Sequence, residues 1–143
     1  MASNFSILLG LHDADLLEST QMNVRSQGLE VYAASTLEDM KVLMIGLNFT
    51  GYLMDLNLKY CGNIEPRGVS SAKTIYTVVR ERVKRREAVF LGVSGRNETV
   101  ELALAEHIPA EIKPFELERF ILRCQKMIDR EKCVNDDALR TYF

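Results

Sequence analysis

Short apolar runs alternate with helix-period segments five times along this chain, and that alternation restricts the fold more than any single motif. Ser6–Leu11 is a brief, mostly apolar run of the kind a strand buried on both faces requires. Asp15–Gln27 follows as a helix with a weak stripe of Leu16, Leu17 and Val24, stopped at Gly28. Leu29–Ala34 reads as a second strand. Ser35-Thr36-Leu37-Glu38 has capping-box spacing, and Leu37, Met40, Leu43, Met44 and Leu47 continue at helical period. Gly51–Leu56 is the third strand, and Lys59–Gly68 a polar loop containing Gly62, Pro66 and Gly68. Ser70–Arg86 is helical, with Ile75, Val78, Val79 and Val83 on one side. Ala88–Val93 is a strand, and Asn97–His107 a helix whose apolar residues are Val100, Leu102, Ala103 and Leu104. Ala110–Ile112 is a very short strand. Pro114 suits the first turn of a final helix buried through Leu117, Phe120, Ile121, Cys124, Met127 and Ile128. Five βα units imply an α/β fold with a parallel sheet and helices on both faces.

With 143 residues the chain is long enough for one proper core. Residues 1–129 form the expected domain and 130–143 a tail or linker, polar until Leu139-Arg140-Thr141-Tyr142-Phe143. The net charge of −2 gives no electrostatic argument for nucleic acid or membrane. No run approaches the ~18 apolar residues of a membrane span, and the N-terminus has no signal-peptide pattern. Cys61, Cys124 and Cys133 lack CxxC spacing, which argues for a reducing, cytoplasmic setting.

Four of the apolar runs deliver a polar residue at the C-terminal end. Leu8-Leu9-Gly10-Leu11 ends in His12-Asp13, and Tyr52-Leu53-Met54 in Asp55. Val89-Phe90-Leu91-Gly92-Val93 ends in Ser94, and Ala110-Glu111-Ile112 in Lys113. In parallel α/β sheets ligands sit outside the carboxyl ends of the strands, so these positions are expected at one edge. Two carboxylates, a hydroxyl and a lysine placed together make a site for magnesium and a phosphoryl group.

Asp13, Asp55-Leu56-Asn57-Leu58, Ser94 and Lys113-Pro114-Phe115, in that order on five βα units, resemble the receiver domain of two-component response regulators. The resemblance covers roughly residues 5 to 129, nearly the whole chain. It implies a doubly wound, flavodoxin-like sheet of order 2-1-3-4-5. It further implies a phosphoacceptor rather than an enzyme in the ordinary sense. A histidine kinase, a phosphotransfer protein or a small phosphodonor would supply a phosphoryl group to Asp55. Mg²⁺ would be held by Asp13, Asp55 and the backbone carbonyl of Asn57. Lys113 would pair with one phosphoryl oxygen and Ser94 would bond another. The Asn57 side chain would influence the water that hydrolyses the product. The output partner is an unidentified protein, and the resemblance also allows a homodimer.

Three departures bear on that reading. The family usually closes its first strand with two acids, and here they are His12 and Asp13. Imidazole is a poor magnesium ligand, so weaker metal binding is expected. At ~4 Å and an effective dielectric of ~20, a unit charge pair is worth about 4 kcal/mol before desolvation. Ala110 stands where an aromatic usually swings inward, and alanine has no rotamer to swing. Lys59 replaces a common proline, and an insertion before Gly68 lengthens the loop beside the acids. Gly95 beside Ser94 is small, as the family requires.

These departures motivate a rival, a pseudo-receiver that binds proteins without a phosphoryl cycle. A flavodoxin-like binder of a small anion is the third reading, disfavoured because no glycine- or hydroxyl-rich loop follows the first strand. Of the remaining charges, Lys84-Arg85-Arg86 reads first as the solvated, dipole-complementing end of a helix.

Overall fold

The structure, a computed structural model, describes residues 6–64 and 66–127. Five strands alternate with helices: β1 Ser6–Gly10, α1 Ala14–Ser26, β2 Glu30–Ala34, α2 Leu37–Met44, β3 Gly51–Asp55, α3 Ser70–Lys84, β4 Val89–Ser94, α4 Asn97–Ala105 and β5 Ala110–Ile112. Residues 117–127 are helical (α5). All strand pairs are parallel, in the order β2-β1-β3-β4-β5. The doubly wound α/β fold and its strand order are therefore as expected.

Every residue of β1, β3 and β4 is buried, which is why these runs are apolar throughout. Side-chain alternation splits them between two cores. Leu8, Tyr52, Met54 and Phe90 pack toward α2, α3 and α4 with Met40, Ile75, Val79 and Ala103. Ile7, Leu9, Leu53, Leu91 and Val93 pack toward α1 and α5 with Val24, Phe120, Ile121 and Cys124.

Several element ends differ from expectation. The α2 helix stops at Met44, short of Leu47, because Gly46 at φ 75° turns the chain toward β3. Its cap is Thr36, whose hydroxyl accepts from the Asp39 N–H. Glu38, which a capping box based on Ser35 would use, instead accepts from the Cys61 N–H at 2.7 Å. Pro114 precedes the last helix rather than opening it, and the Lys113–Pro114 peptide is cis. Val78, Leu102 and Leu104 share helical spacing with core residues but are exposed. The long loop contains a 3-10 turn, Cys61–Asn63, closed by a Tyr60–Ile64 bridge. Ile128, Cys133 and the 130–143 tail lie outside the described residues.

Just past the end of α4, His107 stands at φ 61°, and the Ile108 N–H reaches back to the Ala103 carbonyl at 2.9 Å. Glycine meets no steric penalty in that conformation. His107→Gly is accordingly expected to raise stability by about 1 kcal/mol in urea unfolding.

The cysteines are expected to differ in reactivity. Burial pushes the Cys124 thiol up to about 12. The exposed Cys61 thiol is raised mainly by its hydrogen bond to the Glu38 carboxylate. Iodoacetamide at about pH 8 should therefore label Cys61 more slowly than a free thiol. Cys124 should become reactive only on unfolding.

Candidate functional site

Asp55 closes β3 level with Val93 of β4. The chain turns immediately afterward, with the Leu56 N–H donating to the Val93 carbonyl at 2.8 Å and the Leu58 N–H to the Asp55 carbonyl at 3.2 Å. This leaves Asp55 only 7% exposed. A buried carboxylate needs partners: one of its oxygens has a counterion, without a hydrogen bond, and the other has a hydrogen bond. Oδ1 pairs with Lys113 Nζ at 2.6 Å. Oδ2 accepts from the His12 backbone N–H at 2.8 Å.

Lys113 is positioned by its backbone, whose N–H donates to the Ser94 carbonyl at 2.7 Å directly after β5. Ser94 and Lys113 are therefore joined through the main chain. The Ser94 hydroxyl itself accepts from the Arg96 N–H at 3.1 Å, within its own loop. Gly95 was expected to be small, yet a Cβ there would meet nothing within 4 Å, so no described neighbour imposes it.

Asp13 is exposed and caps α1: its Oδ1 accepts from the Leu16 N–H at 3.0 Å. His12 is half-buried, and its Nδ1 is enclosed without a hydrogen-bond partner among the described residues. In the turn after β3, the carbonyls of Asp55, Leu56, Leu58 and Lys59 each accept a hydrogen bond. The Asn57 carbonyl accepts none among the described residues. Ala110 is half-buried and lines a cavity of about 330 Å³ with Val100, Ile112, Pro114 and Phe115. A second cavity, of about 510 Å³, runs beside Lys113 between Leu16, Thr20 and Asn23 of α1 and Pro114, Phe115 and Leu117.

The structure thus brings Asp55, Lys113 and the His12 backbone into direct contact, with Ser94 tied to Lys113 and Asp13 one step away on the cap of α1. No group of three or more His, Cys, Asp or Glu side chains among the described residues is placed to hold a metal ion. The oxygen donors nonetheless fit Mg²⁺, which keeps several waters and needs only one or two carboxylates. Those donors are the two carboxylates and the unengaged Asn57 carbonyl.

Two residues that support the site escaped the sequence reading. A Cβ at Gly92 would collide with the Leu56 side chain, so glycine in β4 lets the residue after Asp55 seat itself. A glycine inside a strand was the available signal. Glu38 fastens the long loop through Cys61, and that N–H holds its carboxyl below the usual carboxylate range. Its spacing pointed instead to a capping box.

No family model matches the chain, and no curated protein sequence matches it. Solved structures do. A RitR variant is 13% identical, with a TM-score of 0.63 over 86% of this chain. A CheY-like receiver domain protein from Methanospirillum hungatei is 20% identical, TM-score 0.64, covering 90% of this chain and 97% of that one. The Francisella response regulator 1452 receiver domain is 16% identical, TM-score 0.62, covering 89% and 98%. The chain spans about half (52%) of the RitR variant. By backbone, then, this chain has the fold of response-regulator receiver domains.

Proposed function

We propose that this chain is a receiver that accepts a phosphoryl group on Asp55 and changes its protein contacts in response. The observation that carries the reading is the buried Asp55 carboxylate 2.6 Å from Lys113 at the carboxyl edge of the sheet. An Asp55 carboxylate oxygen attacks phosphorus as the bond to the donor nitrogen or oxygen breaks, giving an acyl phosphate. Lys113 then has a phosphoryl oxygen to pair with as a point charge. Ser94 uses a lone pair for Arg96, so its O–H remains free to donate to a second phosphoryl oxygen. That bond would draw the 94–96 loop toward Asp55 and alter the surface above α4. Because Ala110 has no ring to reorient, the change would pass through this loop and the adjoining backbone.

Asp13, Asp55 and the Asn57 carbonyl are the residues that would hold Mg²⁺, which when bound neutralises charge on the transferring group. Asp13 would have to share its carboxylate between α1 and the ion, so a low affinity is expected. The partners are a sensor histidine kinase or phosphotransfer protein, and an output protein; a homodimer is a further assembly of this kind. Asn57 would act on the water that hydrolyses the acyl phosphate.

Asp55→Asn is expected to lose all phosphoryl adduct by intact mass after incubation with acetyl phosphate and Mg²⁺, with its circular dichroism unchanged. The wild type should lose its adduct in EDTA. A specific observation favours a second reading, a pseudo-receiver: Asp13 caps α1, and no three-ligand metal cluster is present among the described residues. That reading predicts no adduct with any donor and partner binding indifferent to Asp55→Asn.

A further inference from the structure

The near-neutral net charge of the sequence conceals a local run of cations at the end of α3. Helices in a parallel α/β sheet run against the strands, so their C-termini gather at the edge opposite Asp55. The first turns of α1, α2 and α4 carry acids (Asp15, Glu38, Asp39, Glu98) and the last turns of α1, α2 and α3 carry bases (Arg25, Lys41, Arg82, Lys84), while α4 closes on Glu106. The helix dipole accounts for a charge or two at each end. It does not account for the end of α3, where the exposed Arg80, Lys84, Arg85 and Arg86 outnumber the exposed Glu81 and Glu87 among them. Arg86 stands at φ 62°, where the chain turns out of α3 toward β4.

Beside this run lies the turn between α2 and β3. Arg82 ties the two together, donating to the Phe49 carbonyl and the Tyr52 hydroxyl at 2.9 Å each. The turn carries Ile45, 77% exposed, and Leu47 on either side of Gly46. Ile45 is the most exposed large apolar side chain among the described residues.

The geometry points to this pole as a docking surface for an anionic lipid bilayer. Arg80, Lys84, Arg85 and Arg86 lie over the headgroups, and Ile45 and Leu47 enter the interface. A nucleic-acid strand would satisfy the cations but give Ile45 and Leu47 no apolar partner. An acidic protein segment would need a groove, whereas this pole offers a projecting turn beside a helix end. A bilayer interface supplies anionic charge and an apolar layer together. The docked orientation leaves Asp55 facing solution, so the inference stands independently of phosphoryl acceptance.

The test is co-sedimentation of the full chain with vesicles of phosphatidylcholine containing phosphatidylserine, against phosphatidylcholine alone. Binding is expected only with the anionic vesicles and should weaken with salt. Each cation removed should lower partitioning about five-fold, so the triple variant Arg80→Gln, Lys84→Gln, Arg85→Gln should lose about 100-fold. Ile45→Ser should lose several-fold at every salt concentration. All variants should keep the wild-type circular dichroism and melting midpoint, because the altered side chains are exposed. The proposal is overturned if wild type fails to sediment with anionic vesicles, or if the triple variant binds as wild type does. It is equally overturned if polythymidine or polyglutamate binds more tightly than vesicles and Ile45→Ser changes nothing.

Discussion

Lys113→Met is expected to cost about 2 kcal/mol of stability at neutral pH and to slow phosphoryl labelling of Asp55 about 100-fold. The stability loss comes from the carboxylate left behind. Asp55 sits at 7% exposure with Oδ1 paired, among the described residues, only to Lys113, and the substitution leaves that charge without its counterion. Removing one partner of a fully buried pair costs about 3–5 kcal/mol. The Lys113 side chain is 28% exposed, so solvent screens part of the effect here and the lower figure follows. The reverse change is milder. In Asp55→Asn the lysine can turn toward water, while the amide oxygen can still accept from the His12 N–H, so about 1 kcal/mol or less is expected. Urea unfolding of both variants checks this asymmetry. Equal losses would mean that Lys113 contributes packing rather than charge.

Phe120→Ala should be the most destabilising of the single substitutions considered, at about 4 kcal/mol. Phe120 is 1% exposed in the core between the sheet and α5, together with Ile121 and Cys124. Its ring fits there because β3 begins with glycine: a Cβ at Gly51 would lie 3.0 Å from Phe120 Cζ and 2.6 Å from Cys124 Sγ. The strand that ends in Asp55 therefore begins pressed against α5, and the same helix follows the segment carrying Lys113. Loss of the ring leaves a cavity that this close approach cannot collapse without moving β3. Thermal unfolding followed by circular dichroism reads the loss. A change below about 1 kcal/mol would contradict the packing described.

What was legible in the chain follows from which physical signals are local. Runs buried on both sheet faces must be apolar at every position, so β1, β3 and β4 stood out, as did the residues closing them. Helix spans were clear, but which apolar residue on a helix is covered depends on neighbours. Hence Val78, Leu102 and Leu104 fit the period of the core and are exposed. The end of α2 turned on one glycine at positive φ, and the cap on Thr36 rather than its neighbour Ser35. At the site, the gathering of Asp55 and Lys113 at one sheet edge followed from topology once five βα units were recognised, but their direct ion pair did not. The service of the Asp13 carboxylate as the cap of α1 did not, because a carboxylate after a strand serves equally as ligand or cap. The contribution of His12 was also hidden: its backbone N–H, which any non-proline residue would supply, holds Asp55, while its imidazole Nδ1 has no hydrogen-bond partner among the described residues.

The central claim is that Asp55 takes the phosphoryl group, and trapping the acyl phosphate tests it most directly. The full chain would be treated with acetyl phosphate and Mg²⁺, reduced with borohydride and mapped by peptide mass spectrometry. Borohydride converts an aspartyl phosphate to homoserine and leaves a free carboxylate intact. The account predicts homoserine derived from Asp55 alone, dependent on donor and metal. Recovery of unreduced Asp55 under all conditions, or homoserine derived from Asp13 instead, would contradict it.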